Sequence, residues 1–233
     1  MNQRRTTLFF AGNVPDAHLV DTQPDTQLAA EAYSEGVRQL VWKYHRNRTG
    51  FRIVSRSQSY VADWSESQFC LAPQGVGWGV RLSWAIGAGC IPLLASSEVT
   101  PWFDDAIDYN RFALTAVPKL DGLRHELPFL LGKLSASRRA EMQRSVWRHR
   151  DLFLWGGHAF HMTMHELCLR AARLRKGPRA KVACAQLLPH AAEDILIPPG
   201  RRGATAWCGS WRRRGTGRRC ASRVTAGRRR CIA

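Results

Sequence analysis

No run of about 18 or more apolar residues occurs in this 233-residue chain, so no part of it is expected to cross a membrane as a helix. The amino terminus also lacks a signal-type apolar core before the polar stretch from Asn13 to Gln27, which predicts a soluble segment carrying no address. Seven cysteines stand at 70, 90, 168, 184, 208, 220 and 231, an odd number with no C-x-x-C pair. Zinc and a disulfide framework are therefore both disfavoured. Cys70 and Cys90 fall in predicted core strands and read as small buried apolar residues rather than nucleophiles. There is no H-E-x-x-H motif. His158, His161 and His165, followed by Glu166, sit at helical spacing, but the order H-M-T-M-H-E is the reverse of a zincin's, and the set reads as a partly exposed terminal helix face with no metal. Nothing repeats at a period of about 20–50 residues, which excludes a solenoid.

Acidic residues are nearly missing from the last part of the chain. Residues 170–233 hold 17 Lys and Arg against 2 Asp and Glu, whereas residues 1–169 hold 18 against 16. The formal net charge of +17 is thus almost wholly carboxyl-terminal. From Arg201 onward Arg, Gly, Ser, Ala and Cys dominate, with runs at Arg212–Arg214 and Arg228–Arg230, and this composition predicts disorder. Such an arm suits contact with polyanions, with Trp207 and Trp211 available for stacking, but it matches no nucleic-acid-binding module and equally fits an extension without a role. The expected division is therefore a folded unit over 1–169 and a basic extension over 170–233.

What is present in the first part is an alternation of strands and helices. Thr7–Ala11 reads as a strand, Glu31–His45 as a helix with Val37, Leu40, Val41 and Tyr44 at core spacing, and Phe51–Val54 as a second strand followed by a polar loop to Trp64. Phe112–Val117 adds a strand, and Leu120–Leu134 and Ser137–Phe153 read as helices. Alternation of this kind argues for an α/β fold with a Rossmann-like parallel sheet.

The segment from Ser67 to Pro92 carries the most information. Phe69–Ala72 is an apolar strand, Pro73–Gly79 a glycine-rich turn, Val80–Ala88 a helix and Ile91–Ala95 a second buried strand. A crossover of this kind leaves its turn at the carboxyl edge of the sheet, where open α/β folds bind ligands. Free N–H groups at the helix start and the full charge of Arg81 make an anion the expected occupant. The glycines at 75, 77 and 79 match neither the dinucleotide fingerprint nor a P-loop.

Five ordered blocks then resemble the exostosin-like glycosyltransferases of the GT47 type, in a plant or green-algal form. They are Arg4-Arg5 before LFFAG, Tyr33-Ser34-Glu35-Gly36-Val37-Arg38, Ser67 to Gly75, Arg81-Leu82, and Gly89 to Pro92. The resemblance implies the carboxyl-terminal, donor-binding lobe of a GT-B fold, with the acceptor lobe and the membrane anchor lying outside this sequence and a Golgi location. It implies transfer, with inversion, of a sugar from a nucleotide-diphosphate sugar such as a UDP-sugar to a glycan or glycoprotein acceptor. Fixed dipoles and basic side chains commonly stabilise the leaving diphosphate in such folds, so no cofactor is required. Carried onto this chain, donor binding is expected from Arg81, Gln74, Gly75, Gly77 and Gly79, with Arg5 near the first strand. Where relatives place acids toward the ribose, this chain offers Ser83, and Glu98 after Ser96-Ser97. Trp84 reads as a packing residue, while Trp78 and Trp102 suit either sugar stacking or core packing. Asp104, Asp105 and Asp108 fall where the family starts a helix. No general base is assigned. The alternative is a non-catalytic fragment, either a degenerate nucleotide-binding lobe or a polyanion binder using the tail.

Overall fold

Among the described residues five strands form one wholly parallel sheet: β1 (Thr6–Ala11), β2 (Phe51–Val54), β3 (Ser67–Pro73), β4 (Ile91–Ala95) and β5 (Leu114–Thr115). The structure, a computed structural model, describes residues 4–30, 33–75, 79–95, 100–115, 122–174, 184, 186–189 and 196. Gly77, Trp78, Glu98 and the arm from Arg201, with Trp207 and Trp211, lie outside the described residues.

The strand order is β2-β1-β3-β4-β5. The chain starts inside the sheet, steps outward to β2, crosses back over β1 to β3 and then moves steadily the other way. The direction reverses between β1 and β3, and in open α/β sheets ligands bind outside the carboxyl ends of the strands at such a reversal. Registers such as Leu8 beside Phe51 and Phe69, and Phe69 beside Ile91, bring those carboxyl ends level.

Strands buried on both faces read as continuous apolar runs, and β4, IPLLA, is buried at every residue. Alternation sorts β1 between two cores: Leu8 and Phe10 enter the larger, Phe9 and Ala11 the smaller. Around the sheet run α1 (Asp25–Ala29), α2 (Val37–His45), α3 (Tyr60–Ser65), α4 (Arg81–Gly87), α5 (Leu127–Lys133), α6 (Ala136–His149) and α7 (Ala159–Leu174). Ser135 caps α6 by accepting from the Arg138 N–H at 3.1 Å.

Several expectations need correction. The helix expected from Glu31 begins only at Val37, because Ser34, Glu35 and Gly36 take left-handed backbone angles, φ 62°, 53° and 69°. At Gly36 a Cβ would sit 2.0 Å from the carbonyl oxygen of Leu28, a contact no helical pattern discloses. The loop before Trp64 contains α3, whose Trp64 packs edge-on against Phe9 at 5.5 Å. The helix expected over Leu120–Leu134 opens with a π turn at Gly122–Glu126, and Pro128, which has no N–H to donate, sits where α5 begins. Asp104 and Asp105 lie in a turn instead of a helix start, and Asp108 accepts from the Asn110 N–H at 3.2 Å.

The cysteine reading is also overturned. Cys70 and Cys90 are joined by a disulfide, with Cα atoms 5.9 Å apart, and Cys168 is joined to Cys184. Cys70 and Cys90 are indeed fully buried, in the smaller core, but as a cross-link between β3 and the entry to β4. Spacings of 20 and 16 residues match no cysteine motif, and only adjacency of the strands brings the first pair together. Packing also runs past residue 169: α7 continues to Leu174, Cys184 is buried, and Leu196 joins the larger core.

Candidate functional site

At the reversal point the carboxyl ends of β1 and β3 present Ala11, Gly12, Asn13, Gln74 and Gly75, and two arginines converge on them. Arg81, the first residue of α4, turns back toward β1 and donates from Nε to the Ala11 carbonyl at 3.3 Å. Its guanidinium lies 5.6 Å from the Phe10 ring centroid. Gly12 makes this approach feasible, since a Cβ there would meet Arg81 Nη2 at 2.2 Å.

Arg38, in the first turn of α2, reaches the same place from the other side. Its Nη1 donates to the Asn13 carbonyl at 3.2 Å and its Nη2 to the Gln74 carbonyl at 3.3 Å. The guanidinium is 4.4 Å from the Tyr33 ring centroid and 5.9 Å from that of Phe10, so the two arginines share one aromatic ring. Gly75 leaves room for this stack, because a Cβ there would lie 3.3 Å from both Arg38 Nη2 and the Tyr33 ring. The left-handed turn at residues 34–36 places the Glu35 carboxylate where it accepts from Gln74 Nε2.

Arg38 is only 2 % exposed. Burial, and then the charge of Arg81, lower its pKa from the ordinary arginine value, with Tyr33 acting in the opposite sense. None of the ion pairs among the described residues includes Arg38 or Arg81. Two positive charges held together by carbonyls and aromatic faces repel each other, and an anion entering the crevice relieves that repulsion. Guanidinium groups suit phosphate in particular, through paired N–H donors. Arg81 is half-buried, whereas the buried Arg38 holds the Asn13 and Gln74 backbone through its two carbonyl contacts.

The structure therefore gathers Arg81, Gln74 and Gly75 of the expected residues. Gly79 is exposed just ahead of α4, and Ser83 lines a cavity on the other flank of that helix. Arg5 does not join them. It is exposed at the amino end of β1, and six residues at about 3.3 Å each put roughly 20 Å between it and Gly12. The anchored member of that pair is Arg4, which donates to the carbonyls of Ser67 at 2.7 Å and Ala88 at 2.9 Å. With seven residues, α4 contributes little dipole, so the side chains supply the crevice's charge. Arg38, Tyr33 and Gly12 were missing from the expected set, although all three stand in the blocks that carry the family resemblance.

Elsewhere, the acids after β4 serve to hold α7. Asp105 pairs with Arg173, and Glu166 Oε2 accepts from the Phe103 N–H at 3.1 Å. Partial desolvation by its surroundings, and then the charges of Asp105 and Glu166, raise the pKa of Asp104. The rings of His158 and His161 lie 5.9 Å apart while His165 is buried, and among the described residues no group of three or more His, Cys, Asp or Glu converges as a metal site would require.

Comparison with known proteins agrees with this architecture. The family model of the exostosin GT47 domain matches residues 1–131. A rice protein named probable glucuronosyltransferase GUT1 (Oryza sativa subsp. japonica) is 28 % identical over 178 residues, covering 73 % of this chain and 38 % of the relative. The Arabidopsis thaliana protein named probable beta-1,4-xylosyltransferase IRX10 is 29 % identical over 143 residues, 58 % of this chain and 34 % of the relative. The chain thus spans well under half the length of these relatives. With a family match across more than half its residues, a parallel α/β sheet and the motif residues assembled at its reversal point, this chain belongs to the exostosin GT47 family.

Proposed function

We propose that this chain is the donor-binding lobe of a GT47 glycosyltransferase that moves a sugar, with inversion, from a nucleotide-diphosphate sugar to a glycan or glycoprotein acceptor. The observation that carries the reading is the convergence of Arg81 and Arg38 on the carboxyl ends of β1 and β3.

As the glycosidic bond to the diphosphate breaks, negative charge gathers on the leaving oxygen. Arg81 stabilises that charge through direct N–H donors, and Arg38 adds a second positive charge that needs no reorganisation because its carbonyl contacts are already made. Backbone N–H groups of the turn between Gln74 and Gly79 are the further donors of this reading. The base that takes the acceptor hydroxyl's proton is assigned to a segment outside this chain. Two disulfides among the described residues fit an oxidising compartment such as the Golgi lumen. No described helix is long and apolar enough to cross a membrane.

The names of the relatives make UDP-glucuronic acid and UDP-xylose the donors to try first. Calorimetric titration with UDP and with both sugars, with and without manganese, tests the reading: saturable binding independent of the metal is expected. The excess of 17 Lys and Arg over 2 Asp and Glu in residues 170–233 favours polyanion binding as the second reading. It is distinguished by deleting 201–233, which should leave nucleotide affinity intact and abolish any polyanion binding that falls steeply with salt.

A further inference from the structure

The flank of α4 opposite Arg81 faces a cavity of about 490 Å³, a size typical of small-ligand sites. Its walls come from α4, the turn after β4, the residues just before α7, and α7 itself. Trp84, Trp102, Phe103 and Trp155 give it an aromatic lining, and Glu166 and Arg170 supply charge. These rings are not all spent on packing: Trp84 is 48 % exposed and Trp155 75 %. Trp84 is nevertheless held in place, with Tyr60 edge-on at 5.3 Å.

The turn carrying Trp102 and Phe103 is strained. Phe103 has φ 61°, a left-handed angle that a bulky residue rarely adopts. Glu166 maintains it by accepting the Phe103 N–H at 3.1 Å while its other oxygen pairs with Arg170. Backbone strain sustained by a specific side chain gathers at binding sites. Exposed aromatic faces beside a polar, charged rim form a surface for ligands that are apolar on one face and hydroxylated at the edge. A pyranose ring has that make-up: its axial C–H groups lie on an indole while its hydroxyls bond to carboxylate and guanidinium. A nucleobase would also stack, but it has no comparable edge of hydroxyls.

We propose that this cavity is a glycan subsite, in which a sugar ring of a β-linked chain stacks on Trp84 and Trp155 and its hydroxyls meet Glu166 and Arg170. This deepens the glycosyltransferase reading and rests on it for the role of the bound glycan as acceptor. Val80, directly before Arg81, and Ser83, two residues after it, line the cavity, so the cavity and the arginine crevice lie on two flanks of the same short helix.

The test is tryptophan fluorescence of the full chain titrated with xylohexaose and cellohexaose, alongside calorimetry with UDP. Saturable change with an oligosaccharide is expected, weakened roughly tenfold or more in Trp155→Ala and largely restored in Trp155→Phe, which keeps an aromatic face. Trp155 is exposed, so neither variant should alter the far-ultraviolet circular dichroism. Arg81→Ala should leave oligosaccharide binding in place, which separates failure of the glycan subsite from failure of the nucleotide site. The proposal is overturned if neither oligosaccharide gives a saturable signal up to about 10 mM, the wall then being a surface for protein packing. It is equally overturned if Trp155→Ala weakens UDP while leaving oligosaccharide binding unchanged, since the cavity would then hold the base.

Discussion

Arg81 acts through a side chain that leaves its own helix, crosses to β1 and depends on a missing methyl group at Gly12. That dependence separates binding from stability. In Gly12→Ala the new Cβ displaces the end of a flexible side chain and no backbone, so the fold should survive. The expected result is a melting temperature within a few degrees of the parent and a loss of UDP affinity comparable with that of Arg81→Ala, checked by calorimetry on both variants. The position of Arg81 beside the crevice was legible because a lone arginine stands two residues after the last glycine of a stretch between two apolar runs. Arg38 was not, since it lies 43 positions earlier and reaches the crevice only because β1 and β3 are neighbours. Arg5 was misplaced for a related reason: a residue preceding a parallel strand lies at the edge opposite the ligand.

Elements whose signal is local were the legible ones. β2 and β4 match the expected strands, Phe51–Val54 and Ile91–Ala95, to the residue; β4, buried at every position, shows as continuous apolarity, whereas β2, at the sheet edge, shows as apolar residues around the exposed Arg52. The segments that escaped are governed by contacts from afar. Gly36 is forced left-handed against Leu28, α3 is too short to show a period, and the cysteines pair through sheet adjacency. The Cys70–Cys90 bond encloses the whole glycine-rich turn and α4. Closing a loop of this size contributes about 3 kcal/mol. Replacing both cysteines with alanine should lower the urea-unfolding free energy by about that amount and weaken UDP binding, because the turn loses its tether. An unchanged unfolding curve would show that the bond is not formed. At Gly36, alanine would meet both an unfavourable φ and a backbone oxygen, and a loss of about 2–3 kcal/mol in the same assay is expected.

Across the whole molecule, stability should depend on pH through buried histidine. His45 is 1 % exposed; one ring nitrogen lies 2.6 Å from the Leu123 carbonyl, and Nδ1 has no hydrogen-bond partner. Burial lowers its pKa below the ordinary 6.5, outweighing the bond to Leu123, which acts the other way. Burial likewise lowers His165. In both cases the unfolded chain takes up its proton first as pH falls. Their contribution is therefore complete above about pH 6.5 and is lost as pH drops from there through the folded pKa. Urea midpoints measured between pH 7.5 and about 5 should fall, and His45→Gln should flatten part of that fall. The α/β class and the parallel sheet were readable from alternation alone. The extent of the folded unit was not, because Cys184 and Leu196 lie in a region whose average composition is basic and polar, and their burial depends on a disulfide and a core that no local pattern encodes. The central claim is that the paired arginines make the crevice a diphosphate site, and calorimetric comparison of uridine, UMP and UDP on the parent chain and on Arg81→Ala tests it most directly. The account requires affinity to rise with each phosphate and UDP binding to weaken roughly 10- to 100-fold in the variant, the value of a charge-assisted contact. Equal affinity of parent and variant for UDP would contradict it.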